Sequence, residues 1–233
     1  MSDDEVFVFI IAGAACLAGA FMTRVSSLPR LYTQGNPGIG LLRLAAGAAV
    51  VWTAYVIRYH GDPSIKGVYV AYGVAKVFGQ IGAQMYGVHL RSDVYERKNP
   101  AGAQFIGAFT LATGIVFGGS LWGEADPLSE AEGGWWIPFG FFLLGWGTLA
   151  VFTAVYLWRE PGRFRRQICQ ERDNAMARSA AIYVVTTSTL IFEGVAGDFW
   201  GWRHGILGMG TIAMMLVWHE FIVFGSSKMP PTR

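Results

Sequence analysis

Charge is sparse in this sequence: Asp, Glu, Lys and Arg make up 15% of its 233 residues, against about 25% in soluble domains. That excludes the solvated surface of a soluble enzyme and the basic face of a nucleic-acid binder. Cysteine is scarcer still. The two present, Cys16 in an apolar run and Cys169 in a basic one, offer neither a disulfide framework nor a CxxC metal site. No P-loop or dinucleotide fingerprint occurs. His219-Glu220 lacks the second histidine of a zincin, because position 223 is Val. Ser120 stands in Gly118-Gly119-Ser120-Leu121-Trp122, which misses the nucleophile-elbow pattern at its second glycine. The start, Met1-Ser-Asp-Asp-Glu5, has no basic n-region of a cleaved signal peptide, so the first apolar run is expected to be retained.

Long apolar runs, 31 glycines and 9 tryptophans take the place of charge. Seven stretches, about 6–23, 39–57, 67–90, 103–122, 135–158, 179–198 and 205–224, are long enough to cross a bilayer. Each crossing is expected to be helical, since backbone groups in lipid have no water to satisfy them. The expectation is one all-α, polytopic transmembrane domain over 1–233. Segments 24–38, 91–102, 159–178 and 225–233 carry 13 of the 18 Lys and Arg, and the intervening segments carry 3. By the positive-inside rule the N-terminus lies outside and the C-terminus in the cytoplasm. The acidic loop from Glu124 to Glu132 then faces outward. Arg163, Arg165 and Arg166 face anionic inner-leaflet lipid as an anchor or, alternatively, dock a cytoplasmic partner. Trp122, Trp135, Trp136, Trp200 and Trp202 cluster beside the outer segments, where amphipathic rings prefer to sit.

Three expected cytoplasmic loops share their punctuation: Gln34-Gly-Asn36-Pro37, Arg97-Lys-Asn99-Pro100 and Arg172-Asp-Asn174-Ala175. Asn36, Asn99 and Asn174 are expected to cap the helices that follow, with Pro suited to the first helical position. One span later come Asp62, Asp126 and Asp198. The chain thus reads as three helical hairpins, about 6–63, 67–127 and 135–198, plus an extra helix at 205–224.

The segment Asp93-Val-Tyr-Glu-Arg-Lys-Asn99-Pro-Ala-Gly-Ala-Gln-Phe-Ile-Gly-Ala-Phe, with a weaker echo from Gln170 to Ala181, resembles the YjfL-like family of small bacterial membrane proteins of unknown function. The resemblance covers roughly 67–198, with the first hairpin as a third copy. Asp173 and the missing Pro in the last copy depart from the family pattern, as do the flanking helices. The resemblance implies a multi-pass protein of the bacterial inner membrane, sometimes linked to membrane-stress genes. It supplies no catalytic residues.

Glycines recur at packing distance in Gly114-xxx-Gly118, Gly119-xxx-Gly123 and Gly197-xxx-Gly201. They are expected to serve close helix packing within the chain or, alternatively, self-association. The third span carries Tyr72, Lys76, Gln80 and Gln84 four residues apart, a polar stripe on one helix face. The sixth answers with Thr186, Thr189 and Glu193. A buried Lys76–Glu193 pair is expected, forming either a satisfied seam between two helices or the lining of an ion or proton path. Nearer the cytoplasm, Arg43 is expected to pair with Glu220. His89 and His219 lie at similar depth, so a haem or chlorin held by both is an alternative. Only four histidines occur, with no two at cofactor spacing on one helix. The seventh span has no lysine for a retinal Schiff base.

The sequence therefore points to a non-enzymatic membrane protein without a predicted cofactor. A scaffold or subunit of a membrane assembly, contacting lipid and other subunits or further copies of itself, comes first. A channel or transporter using the third and sixth helices is the alternative. A cofactor-bearing accessory subunit of an electron-transfer or photosynthetic complex is the third.

Overall fold

The computed structural model of the chain describes residues 35–60, 65–122, 136–158, 163–196 and 201–227. Among them every regular element is helical: α1 (Pro37–His60), α2 (Ile65–Met85), α3 (Pro100–Ser120), α4 (Trp136–Trp158), α5 (Asn174–Val195) and α6 (Gly201–Ser227). Two short π-helical turns, Leu90–Glu96 and Arg166–Glu171, precede α3 and α5. Stretches Gly38–His60, Pro100–Ser120, Ile137–Trp158 and Asn174–Val195 are long and apolar enough to cross a membrane. An all-α membrane protein is consistent with these four helices. The expected first span 6–23, the acidic loop, Gly123, Gly197 and the outer Asp62, Asp126 and Asp198 lie outside the described residues.

The three helix starts share one backbone design. Gly35, Lys98 and Arg172 all adopt left-handed conformations, with φ of 58°, 53° and 56°. The residue after each of them caps the helix that follows. Asn36 Oδ1 accepts from the Gly38 N–H at 3.0 Å. Asn99 Oδ1 accepts from Ala101 and Gly102 at 3.0 and 3.3 Å. Asp173 Oδ1 accepts from Ala175 and Met176 at 2.8 and 3.1 Å. The third cap is therefore Asp173, and Asn174 is the first, exposed residue of α5. Alignment by Asn places the register one residue too far along. A cap needs extended backbone and a short side-chain acceptor, which Asp supplies as well as Asn. With the register corrected, Val94 aligns with Ile168, and the turn closures coincide: Asn99 N–H donates to the Asp93 carbonyl at 3.0 Å, Asp173 N–H to that of Gln167 at 2.9 Å.

α3 is the hub of the fold. It packs against α1 on one side, α5 on another, and α2 and α4 as well. Its Gly/Ala-rich sequence permits this crowding, because small side chains let backbones approach where lipid provides no hydrophobic drive. Gly114 meets Ala49 of α1 and Gly119 meets Phe192 and Val195 of α5, so these glycines serve packing within the chain. On the α2 side, a Cβ added at Gly79 would stand 2.6 Å from the Thr110 Cα. Phe105, Ile106, Phe109, Phe142 and Ile191 fill the gaps. At the end of α3 remote from its cap, Trp122 stacks on His60 with centroids 3.6 Å apart and meets Trp52 and Phe192. Outward faces of α1, α4 and α6 remain apolar and exposed, as at Leu44, Val151, Met214 and Phe221.

Candidate functional site

The polar stripe on α2 does not meet Thr186, Thr189 and Glu193 of α5. Tyr72 is exposed, Lys76 and Gln84 are half-buried, and Gln80 is buried. The Lys76 ammonium stands 5.5 Å from the centroid of the Tyr72 ring on its own helix, a cation–π arrangement. Glu193 is exposed on α5. The expected Lys76–Glu193 pair is not formed, because α2 and α5 both pack on α3, which stands between them. Thr186 and Thr189 are exposed and bond back to their own helix, Thr186 to the Ile182 carbonyl and Thr189 to that of Thr186. Such back-bonding satisfies the hydroxyls without a partner helix.

The cluster expected on the cytoplasmic side is likewise dispersed. Arg43 lies on α1 near Tyr95. Glu220 is buried on α6, where its Oε1 accepts from the Tyr183 hydroxyl at 3.0 Å and lies 3.6 Å from His219 Nδ1. α1 and α6 occupy opposite ends of the row α1–α3–α5–α6, which separates Arg43 from Glu220. His219 is exposed on α6, and His89 is exposed in the loop before the first π-helical turn, where it lines a cleft that does not include His219. Among the described residues no three His, Cys, Asp or Glu gather as metal ligands.

The structure does assemble a polar cleft at the capped end, between the two π-helical turns. It encloses about 470 Å³ and is lined by His89, Asp93, Arg97, Arg165, Arg166 and Cys169 among others. The chain reaches it because α2 stops at Met85, short of the expected 90. Gly87 then turns at φ 79°, a conformation that costs glycine little. The same glycine leaves room for Arg165, whose Cδ would lie 3.0 Å from an added Cβ.

Asp93 organises the cleft. It is 3% exposed, and its Oδ2 accepts from the His89 N–H at 2.7 Å while Oδ1 faces Arg97 Nη1 at 3.4 Å. Cys169 is buried, and its thiol donates toward the Gly87 carbonyl at 3.8 Å. Burial, reinforced by the charge and hydrogen bonding of Asp93, pushes that thiol up to about 11, against a smaller pull from Arg165 and Arg97. Outside the cleft's floor, Arg91 bonds Glu96 at 3.0 Å and Arg166 bonds Glu171 at 2.9 Å. Both pairs are five residues apart, the spacing that one π turn brings into register.

Sequence reasoning did not single out Asp93, Arg97 or Cys169 as one cluster. Its available signal was the repeat itself: two turns of like length, each ending in a left-handed residue and a cap, must lie side by side once their helices do. No family model matches the chain, and no curated protein or solved structure matches it either.

Proposed function

We propose that the chain is a multi-pass protein of the bacterial inner membrane, with seven spans and a cytoplasmic C-terminus, that acts as a non-catalytic scaffold or subunit of a membrane assembly. The carrying observation is the closure of α3. Its span is 83% buried inside the fold, and the glycines on it are consumed by α1 and α5 instead of being offered to a pore. A helix sealed in this way suits a rigid core whose outer apolar faces on α1, α4 and α6 meet lipid or other subunits. Transport has less support, since Lys76 and Glu193 do not meet and Glu193 faces outward.

Kinship with the YjfL-like proteins remains part of this proposal. It draws support from the recurrence of the capped-hairpin geometry at Asn36, Asn99 and Asp173. Purification from native membranes in mild detergent tests the scaffold role: a stoichiometric co-purifying chain or a defined homo-oligomer is expected. A clean monomer without partners would overturn it. Accessibility of a cysteine placed at Arg172 to a membrane-impermeant reagent tests orientation, with labelling expected only in inverted vesicles.

A further inference from the structure

We infer that the cleft between the two π-helical turns is a binding site for a phosphate-type anion. Its volume of about 470 Å³ lies within the roughly 300–1,000 Å³ of small-ligand sites. Three guanidinium groups, those of Arg97, Arg165 and Arg166, converge on it with His89 beside them. Planar guanidinium forks match the oxygens of a phosphate in pairs.

Asp93, the one acid that lines the cleft, is already engaged. Its two oxygens hold the His89 N–H and the Arg97 guanidinium, so Asp93 and Arg97 largely cancel as charges and fix the floor. Glu171 engages Arg166 only through Nε, which leaves the terminal nitrogens of that fork for a ligand. No acid pairs with Arg165 among the described residues, and the left-handed turn at Gly87 gives its side chain space to lie over the cleft. Across 90–99 and 163–173 there are seven Lys and Arg against four acids, so the surroundings favour an anion. The cleft stands beside the capped start of α3, whose aligned peptide dipoles add positive potential. The same recognition chemistry fits the phosphodiester of an anionic lipid headgroup or a soluble phosphate compound.

Two probes separate these sources. Inorganic pyrophosphate is titrated calorimetrically into the full chain held in phosphatidylcholine nanodiscs. Retention of phosphatidylglycerol over phosphatidylcholine is read separately by native mass spectrometry. Saturable pyrophosphate binding assigns a soluble ligand, and selective phosphatidylglycerol retention alone assigns a headgroup. In either case Arg165→Gln and Arg166→Gln are each expected to weaken binding at least tenfold, and Arg165→Glu further. Both side chains are exposed, so these changes leave the core intact. Arg178→Gln, on α5 and outside the cleft lining, is expected to bind as wild type. Absence of saturable binding of either probe overturns the proposal, as does an equal loss in Arg178→Gln. These readouts do not depend on whether partner chains co-purify, so the site and the scaffold role fail separately.

Discussion

Asn99 and Ile168 are joined by a 2.6 Å hydrogen bond, in which the Asn99 side-chain amide donates to the Ile168 carbonyl of the second π-helical turn. One repeat earlier, Asn36 donates at the same distance to the Val94 carbonyl of the first. Each cap thus faces two ways, its oxygen holding its own helix and its nitrogen holding the next turn. The series ends at Asp173, which keeps the acceptor and has no amide to donate. The last carbonyls of a helical turn have no partner within it, and the amide of the preceding cap takes that place at Val94 and Ile168.

Asn99→Ala is expected to destabilise the fold by about 2–4 kcal/mol, combining loss of the cap at roughly 0.5–2 with an orphaned buried carbonyl at roughly 1–3. Asn99→Asp keeps the cap but sets a carboxylate against the Ile168 carbonyl, so it should also destabilise. Asp173→Asn should be nearly neutral. Chemical unfolding in detergent, followed by tryptophan fluorescence, checks the order; a neutral Asn99→Asp would refute the tether.

Gly79→Ala should cost about 1–3 kcal/mol, since the new methyl meets the backbone of Thr110 and the two helices must part. Gly47→Ala, where nothing lies within 4 Å of the added carbon, should be neutral or slightly stabilising, because alanine is the better helix former. Equal midpoints for the two variants would contradict the close contact of α2 with α3.

How much of this was legible in the sequence follows from what each feature depends on. The helices announced themselves by apolar length, and starts at Asn36 and Asn99 by local capping chemistry that needs no knowledge of neighbours. The third start slipped by one residue because identity was matched where acceptor geometry at Asp173 governs. Depth alone suggests pairing Lys76 with Glu193, and depth along a helix says nothing of azimuth or of an intervening helix. The cleft was invisible for a similar reason: Asp93 and Cys169 are 76 positions apart in the chain, and only the stacking of two turns brings them together.

The Cys169 thiol should resist alkylation near neutral pH. With its pKa pushed up to about 11, the reactive thiolate is scarce until the pH nears that value, while an unfolded chain, its thiol near the ordinary value of about 8.5, already carries a few per cent of thiolate at neutral pH and reacts there. The folded state retains the proton that the unfolded state loses first, so this group's contribution to stability is complete below pH 9 and falls between about 9 and 11. Maleimide labelling of a Cys16→Ala background across pH, with and without denaturant, checks both limbs. Fast labelling of the folded protein at pH 7 would contradict the buried thiol that donates toward the Gly87 carbonyl.

Lys76 and Glu193 should behave as independent residues. Lys76→Met removes a cation held over Tyr72, and Glu193→Gln alters an exposed carboxylate on a helix that lies beyond α3. Groups without contact or shared partners combine additively within about 0.5 kcal/mol. The double variant should therefore show the sum of the single effects on unfolding. The single variant Lys76→Met should also preserve assembly, because replacing a half-buried ammonium by a thioether of similar length relieves desolvation and keeps packing. A coupling energy above about 1 kcal/mol would instead require the two side chains to meet, and with them would return the polar route between α2 and α5.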